Sequence, residues 1–260
     1  MKHLSQNDFQ NWSDYYREYQ LRLAKDYYIP LLEEWDFSVT RKKILDIGCG
    51  DGGFTSAFTD SANSCSGIEI KSFDWSKISN VNFLVQDITK SNAVENIGNE
   101  FDLIILRDVI EHIPLENKQM FLDSLSKFAH SETKILITYP PFYSPFGLHQ
   151  QTFLKSKLSK IPFLSWAPSI LLQPLLRLVK ENETAIENIK YIRDCRMTIS
   201  NFEKLIKQSN FVIEQNKFYF TRPSHEIRYG WKTRISPFGS IPLLREILVL
   251  GTVYLLSAEK

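Results

Sequence analysis

Lys43-Ile-Leu-Asp-Ile-Gly-Cys-Gly-Asp-Gly-Gly53 is the stretch on which the reading of this chain turns. A short apolar run enters a glycine cluster, and Phe54, Ala57 and Phe58 then recur on one side of a helix-like segment. Gly48, Gly50 and Gly53 satisfy the G-x-G-x-x-G spacing. After a strand and before a helix, that spacing lets a ligand approach the backbone closely, although it also describes a plain turn. Asp46, two residues before the first glycine, adds a sign. A carboxylate at that strand end repels a pyrophosphate and attracts a ligand carrying positive charge, which disfavours a nicotinamide dinucleotide.

Outward from this stretch the chain alternates. Cys65–Ile70, Val81–Val85, Phe101–Leu106 and Lys134–Thr138 read as further strands, and Phe101–Leu106 is so continuously apolar that both its faces should be buried. Apolar residues at helical spacing fill Glu116–Ala129 between the last two. Such βαβ alternation implies a parallel sheet with helices on both faces, an α/β fold. Glu69 closes the second strand, where a carboxylate can accept two hydrogen bonds from a ribose diol, and Asp87 closes the third, where it can take an exocyclic amine. Each acid alone also reads as a surface cap. Three acids at three consecutive strand ends point to one ligand, because ligands bind at that edge of open α/β sheets.

Before the sheet, residues 7–35 read as one or two aromatic-rich helices closed by Pro30. After it, residues 146–195 break the rhythm. Ser200-Asn-Phe-Glu203 reads as a capping box, with Asn210 as the helix stop, and Phe211–Phe220 and Ile247–Leu256 as two more strands. The expected organisation is a helical cap (1–40), a cofactor-binding core (41–145), a lid insertion (146–195) and the remainder of the core sheet (196–260).

Composition sets limits. The 260 residues carry 31 Lys and Arg against 30 Asp and Glu, a formal charge of +1, so no overall field draws the chain to DNA or RNA. Three scattered cysteines signal neither a disulfide framework nor a zinc site. No apolar signal segment is visible at the N-terminus, and a cytoplasmic location is expected. Residues 161–179 are greasy, but Pro162, Pro168 and Pro174 interrupt the backbone bonding a membrane span requires. A bent lid or a peripheral membrane contact fits better.

Ile44–Gly52, Gly67-Ile-Glu69, Gln86-Asp-Ile88 and Phe101–Leu106 resemble the successive motifs of class I S-adenosylmethionine-dependent methyltransferases. The likeness covers residues 40–142. It implies a seven-stranded, mostly parallel Rossmann-like sheet with an antiparallel last strand, and S-adenosylmethionine as cofactor. It further implies that Asp46, Gly48 and Gly50 surround the methionine portion, and that Glu69 holds the ribose. Ile70 would pack on the adenine and Asp87 with Ile88 would read its edge; Arg107 joins this set.

Arg107-Asp-Val-Ile-Glu-His-Ile113 follows the fourth strand, where such enzymes meet their acceptor. If helical, Asp108, Glu111 and His112 share one face and could hold a divalent metal such as magnesium; otherwise they are caps and helix-terminal polar residues. The segment resembles that of metal-dependent RNA 2′-O-methyltransferases and the Glu-His of quinone-pathway O-methyltransferases, which draw another His from beyond the fifth strand. His149 stands at such a place, although Asp108 is one methylene shorter than the Glu of those families. Without a metal, His149 or His112 becomes the candidate general base. The aromatic, proline-rich 139–151 loop resembles that of methyltransferases of surface-polysaccharide biosynthesis. Lys217, Arg222, Arg228, Lys232 and Arg234, against Glu226 alone, read as a solvated face or as a receiver of substrate phosphates. The expected function is methyl transfer to an oxygen of a small-molecule or glycan- or lipid-linked acceptor. The alternatives are an RNA 2′-O-methyltransferase with a metal and a catalytically inactive cofactor-binding module.

Overall fold

The computed structural model describes residues 1–258. The chain opens with α1 (Trp12–Leu23) and α2 (Ile29–Glu34). It then lays down β1 (Lys43–Ile47), α3 (Gly53–Ser56), β2 (Ser64–Glu69), β3 (Asn82–Val85), α4 (Ala93–Ile97) and β4 (Phe101–Arg107). There follow α5 (Lys118–Leu125), β5 (Ala129–Tyr139), α6 (Gln150–Phe153), α7 (Ser169–Leu178), α8 (Glu183–Cys195) and α9 (Ile199–Lys207). Last come β6 (Phe211–Thr221), α10 (Pro223–Tyr229), β7 (Arg234–Ile235), α11 (Pro242–Leu248) and β8 (Gly251–Ala258).

The strands form one sheet in the order β3-β2-β1-β4-β5-β8-β6-β7. The first five run parallel; β8 lies antiparallel between β5 and β6. The sheet is therefore the expected α/β type with a late antiparallel strand. An eighth strand, β7, is a two-residue edge too short to leave a period in the sequence. The chain builds outward from β1 through β2 to β3, then returns to the other side of β1 for β4. The crevice at the carboxyl ends of β1 and β4 is thus the switch point where open α/β sheets bind ligands.

Alternation along the central strands decides what covers each face. Leu45, Ile47, Ile104 and Leu106 face a core closed by Phe121, Leu122, Leu125 and Phe202. Ile44, Leu103 and Ile105 face the opposite core, where Tyr15, Tyr19, Leu23 and Leu32 of the N-terminal helices pack. That double burial is why β4 reads as an unbroken apolar run. A third cluster joins Leu148 and Leu154 to Leu172, Leu176, Ile186 and Ile189, so the 146–195 segment has its own small core.

Four local expectations are corrected. Pro30 does not close a helix; it sits in the first turn of α2, and a π-turn over Ala24–Tyr28, with Ile29 donating to Ala24, joins α1 to α2. The cap of α9 is Thr198, which accepts from Asn201, whereas Ser200 and Glu203 bond Glu246 and Arg245. That helix ends at Lys207, before Asn210, which is not among the positive-φ residues. The last strand starts at Gly251, because Ile247 and Leu248 finish a helix opened by Pro242.

Candidate active site

The glycine loop leaves β1 with Gly48 and Gly50 at φ +75° and +55°, a backbone that side-chain-bearing residues rarely adopt. A Cβ on Gly48 would meet Val109 Cγ2 at 2.5 Å, whereas one on Gly50 would meet nothing within 4 Å. The loop thus packs against the turn after β4 on one side and opens into free space on the other. Glu69, at the end of β2, accepts from the Gly50 N–H at 3.3 Å and the Ile70 N–H at 2.8 Å, which ties the second strand to the loop. Asp46 is buried beneath the loop and accepts from Thr55 Oγ1 at 2.6 Å. Burial lifts its pKa to about 6, against the opposing pull of Thr55 and Arg107.

Three cavities meet here. A cleft of about 740 Å3 is lined by Gly48, Glu69, Ile70, Asp87, Ile88 and, from the 146–195 segment, Phe153, Tyr191 and Ile192, among others. Ile70 is 68% exposed on its wall, an isoleucine without an apolar partner. Asp87 presents a carboxylate whose Oδ1 already holds the N–H and hydroxyl of Thr89. A smaller chamber of about 140 Å3 lies over the glycine loop between Tyr16, Gln20, Asp51, Arg107 and Asp108. A third, of about 340 Å3, is walled by α1, the 140–152 loop and α10, and includes Tyr19, His149, Arg222, His225 and Arg228. Asp108 alone lines all three.

Asp108 follows β4 at φ +54°, the left-handed region, which is a conformation that persists only where its surroundings hold it. Its carboxylate takes Arg222 Nη2 at 2.7 and 2.9 Å and stands 3.4 Å from Arg107. Burial would raise its pKa, but the Arg222 and Arg107 charges hold it below the usual carboxylate range. Arg107 is also stacked over Phe54, 4.9 Å from the ring centroid.

The expected helix over 108–112 is corrected to a single 3-10 turn, Ile110–His112, so Asp108, Glu111 and His112 do not share a helical face. Lys118 pins that turn by donating to the carbonyls of Ile110 and Ile113, and the Tyr191 hydroxyl of α8 donates to the His112 carbonyl at 2.9 Å. Glu111, His112 and His149 do converge, with one possible ligand atom each within 4.8 Å of the others; Asp108 stands outside that group, chelated by Arg222. A donor set of two imidazoles and one carboxylate suits zinc or iron better than magnesium, which prefers oxygen ligands. The carboxyl of Glu111 is pushed well above its ordinary pKa by burial and by Asp108, and both its oxygens are buried without partners. The four-residue magnesium site therefore does not fit the residues present. His149 is driven by burial and by His112 down to about 4, so its ring is neutral at physiological pH. Its Nε2 is buried without a partner.

Several lining groups lie beyond the reach of the sequence motifs. Gln20 Oε1 and Asp51 Oδ2 are buried acceptors without partners, beside Arg107 in the loop chamber. Two acceptors and a guanidinium in one small space fit the ammonium and carboxylate of an amino acid. Asp51 stood in the quoted loop, but Gln20 arrives from a helix remote in sequence that carries no motif. Arg222 and Arg228 were visible only as members of a basic stretch. The structure scatters that stretch, sending Lys217 to Glu34 and Arg222 to Asp108.

A family profile described as a methyltransferase domain matches residues 15–216. No curated protein matches the chain. Among solved structures, magnesium protoporphyrin IX methyltransferase from Synechocystis PCC 6803 with bound S-adenosylhomocysteine superposes with a TM-score of 0.53 at 13% identity, covering 97% of this chain and 90% of its own. A S-adenosylmethionine-dependent methyltransferase from Clostridium acetobutylicum ATCC 824 gives 0.54 at 11% identity, covering 92% of both chains. The plantazolicin methyltransferase in complex with S-adenosylhomocysteine gives 0.53 at 16%, covering 95% and 87%. At these identities the likeness speaks for the fold, and the family profile carries the assignment. The chain belongs to the methyltransferase-domain family and is a class I S-adenosylmethionine-dependent methyltransferase.

Proposed function

We propose that the enzyme methylates a hydroxyl oxygen of a small-molecule or glycan- or lipid-linked acceptor. The observation that carries this reading is the meeting of the three cavities at Asp108. The cleft takes the nucleoside half of the donor, with Glu69 on the ribose, Ile70 and Ile88 against the adenine and Asp87 at its edge. The loop chamber takes the amino-acid half, with Gly48 and Gly50 against it, Gln20 and Asp51 on the ammonium and Arg107 on the carboxylate. Asp46 contributes its buried charge from beneath the loop. The third chamber takes the acceptor. When bound, the donor supplies a methyl group already activated on a sulfonium.

What remains for the protein is alignment, exclusion of water and removal of one proton. His149 reaches the acceptor chamber with a neutral ring and an unoccupied buried Nε2, and that atom receives the hydroxyl proton. His112 lies 5.0 Å away between ring centroids and is the second candidate. Transfer from donor labelled with 13C in the methyl group tests the reading. The product carbon should resonate in the O-methyl range of the 13C spectrum; an N-methyl or C-methyl signal would overturn the oxygen assignment.

The lid supports a membrane-peripheral setting. Ile170 and Leu178 on α7 are 81% and 78% exposed, with Leu171 and Trp166 beside them, while Leu172 and Leu176 pack inward. From Lys155 to Lys180 there are five basic residues and no acid. An anionic lipid surface complements both properties, whereas a second copy would set lysines against lysines. No helix among the described residues is long and apolar enough to cross a membrane, so the contact would lie on the surface. The protein should float with phosphatidylcholine vesicles only when phosphatidylglycerol is included, and Ile170→Glu/Leu178→Glu should abolish flotation. Flotation unchanged in that variant would remove the lid from the contact.

A further inference from the structure

The acceptor chamber carries an unbalanced charge that methyl transfer does not require. Three guanidiniums line it, Arg107, Arg222 and Arg228, and its lining holds one carboxylate, Asp108. Three cations against one anion leave a formal surplus of two. Glu111 is not part of that lining, and burial together with Asp108 pushes its carboxyl well above its ordinary pKa. Glu226, on α10 with Arg228, is turned away: it accepts from the N-terminal amine and from Thr233 N–H, each at 2.7 Å. The histidines add no negative charge, and burial pushes both His149 and His225 down to about 4.

Part of the surplus has an assignment. Arg107 also lines the loop chamber, where it faces the carboxylate of the donor, and Arg222 holds Asp108 with both short bonds. Arg228 is left over. Among the described residues it has no ion pair, and its guanidinium rests between two rings, 5.6 Å from the centroid of Tyr19 and 5.3 Å from that of Tyr229. Stacking holds the fork in place while its N–H donors stay free, the arrangement that suits guanidinium to carboxylate and phosphate. A buried, unpartnered His225 Nδ1 stands in the same wall.

From this we infer that the acceptor bears an anionic group, a carboxylate or phosphate, which Arg228 binds at the α10 side of the chamber. Arg228 lines neither the cleft nor the loop chamber. The anion is therefore an anchor set away from the point where the cavities meet, and the hydroxyl that receives the methyl is elsewhere on the acceptor. A volume of about 340 Å3 with tyrosine and phenylalanine walls suits one sugar or one aromatic ring with its charged substituent. The inference rests on the third chamber being the acceptor site, as proposed above.

The test uses the full chain loaded with S-adenosylhomocysteine and three probes: benzoate, its neutral isostere benzamide, and inorganic phosphate. Titration calorimetry should show benzoate or phosphate binding and no comparable binding of benzamide. Which anion binds more tightly distinguishes a carboxylate anchor from a phosphate one. Arg228→Gln should weaken the anion at least tenfold and Arg228→Lys should restore part of the affinity, since a point charge replaces the fork. Titration of S-adenosylhomocysteine into the same preparations reads the donor site separately. If the donor binds but neither anion does, or if benzamide matches benzoate, or if Arg228→Gln changes nothing, the anchor is overturned. If the donor itself fails to bind, it is the parent reading that falls, and the anchor with it.

Discussion

Replacing Asp108 with alanine is expected to destabilise the protein by about 2–3 kcal/mol and to abolish methyl transfer. The carboxylate is half-buried and takes two short bonds from Arg222, with Arg107 near its second oxygen. Both guanidiniums stay charged at every accessible pH, so removing their shared partner leaves two largely enclosed cations without a counter-charge between them. The double substitution Asp108→Ala/Arg222→Met should recover much of the stability, because it removes the orphaned charge as well, while activity stays lost. Urea unfolding followed by circular dichroism measures both effects, and a loss below about 1 kcal/mol in the single variant would show that the pair is solvated. The pH dependence has a definite sign. Asp108 titrates below its ordinary value, so its contribution is complete above the unfolded pKa near 3.8 and is lost as pH falls through the folded one.

The second large effect is on the donor. Glu69→Ala should weaken S-adenosylhomocysteine binding by two to three powers of ten, about 3–4 kcal/mol. A carboxylate on a diol makes two charge-assisted bonds, each contributing roughly 1.5–3 kcal/mol. The variant also frees the Gly50 and Ile70 N–H groups that Glu69 holds, which loosens the loop. Glu69→Gln should fall between, because one acceptor oxygen survives. Thermal stability should move little, since Glu69 stands at the rim of an open cleft. Unchanged affinity in Glu69→Ala would mean that the ribose lies elsewhere.

The part of the candidate site proposed for the cofactor was legible because it is local. Asp46, Gly48, Gly50, Glu69 and Asp87 sit at strand ends or in the loop that follows one, and short apolar runs announce the strands. Parallel pairing then places those ends along one edge without any long-range information. Of the half proposed for the acceptor only His112 and His149 were legible, because long-range packing builds the rest. Tyr19 comes from α1, Arg222 from the residue that caps α10 and Arg228 from its body, and their meeting depends on how two helices close over one face of the sheet. Helix boundaries failed for a related reason. Asp108, Glu111 and His112 have helical spacing, but a left-handed residue just after β4 and a buried Lys118 impose a 3-10 turn instead. The basic stretch misled because net charge in sequence does not say which cations find partners. Lys217 pairs with an N-terminal glutamate, whereas Arg228 pairs with none among the described residues.

Calorimetric titration of the unmodified chain with S-adenosylhomocysteine and, separately, with NADH tests the central claim most directly. The carboxylates of the crevice and the loop chamber should accept the thioether nucleoside and reject the doubly phosphorylated dinucleotide. Tight binding of NADH with none of S-adenosylhomocysteine would contradict the account at its root.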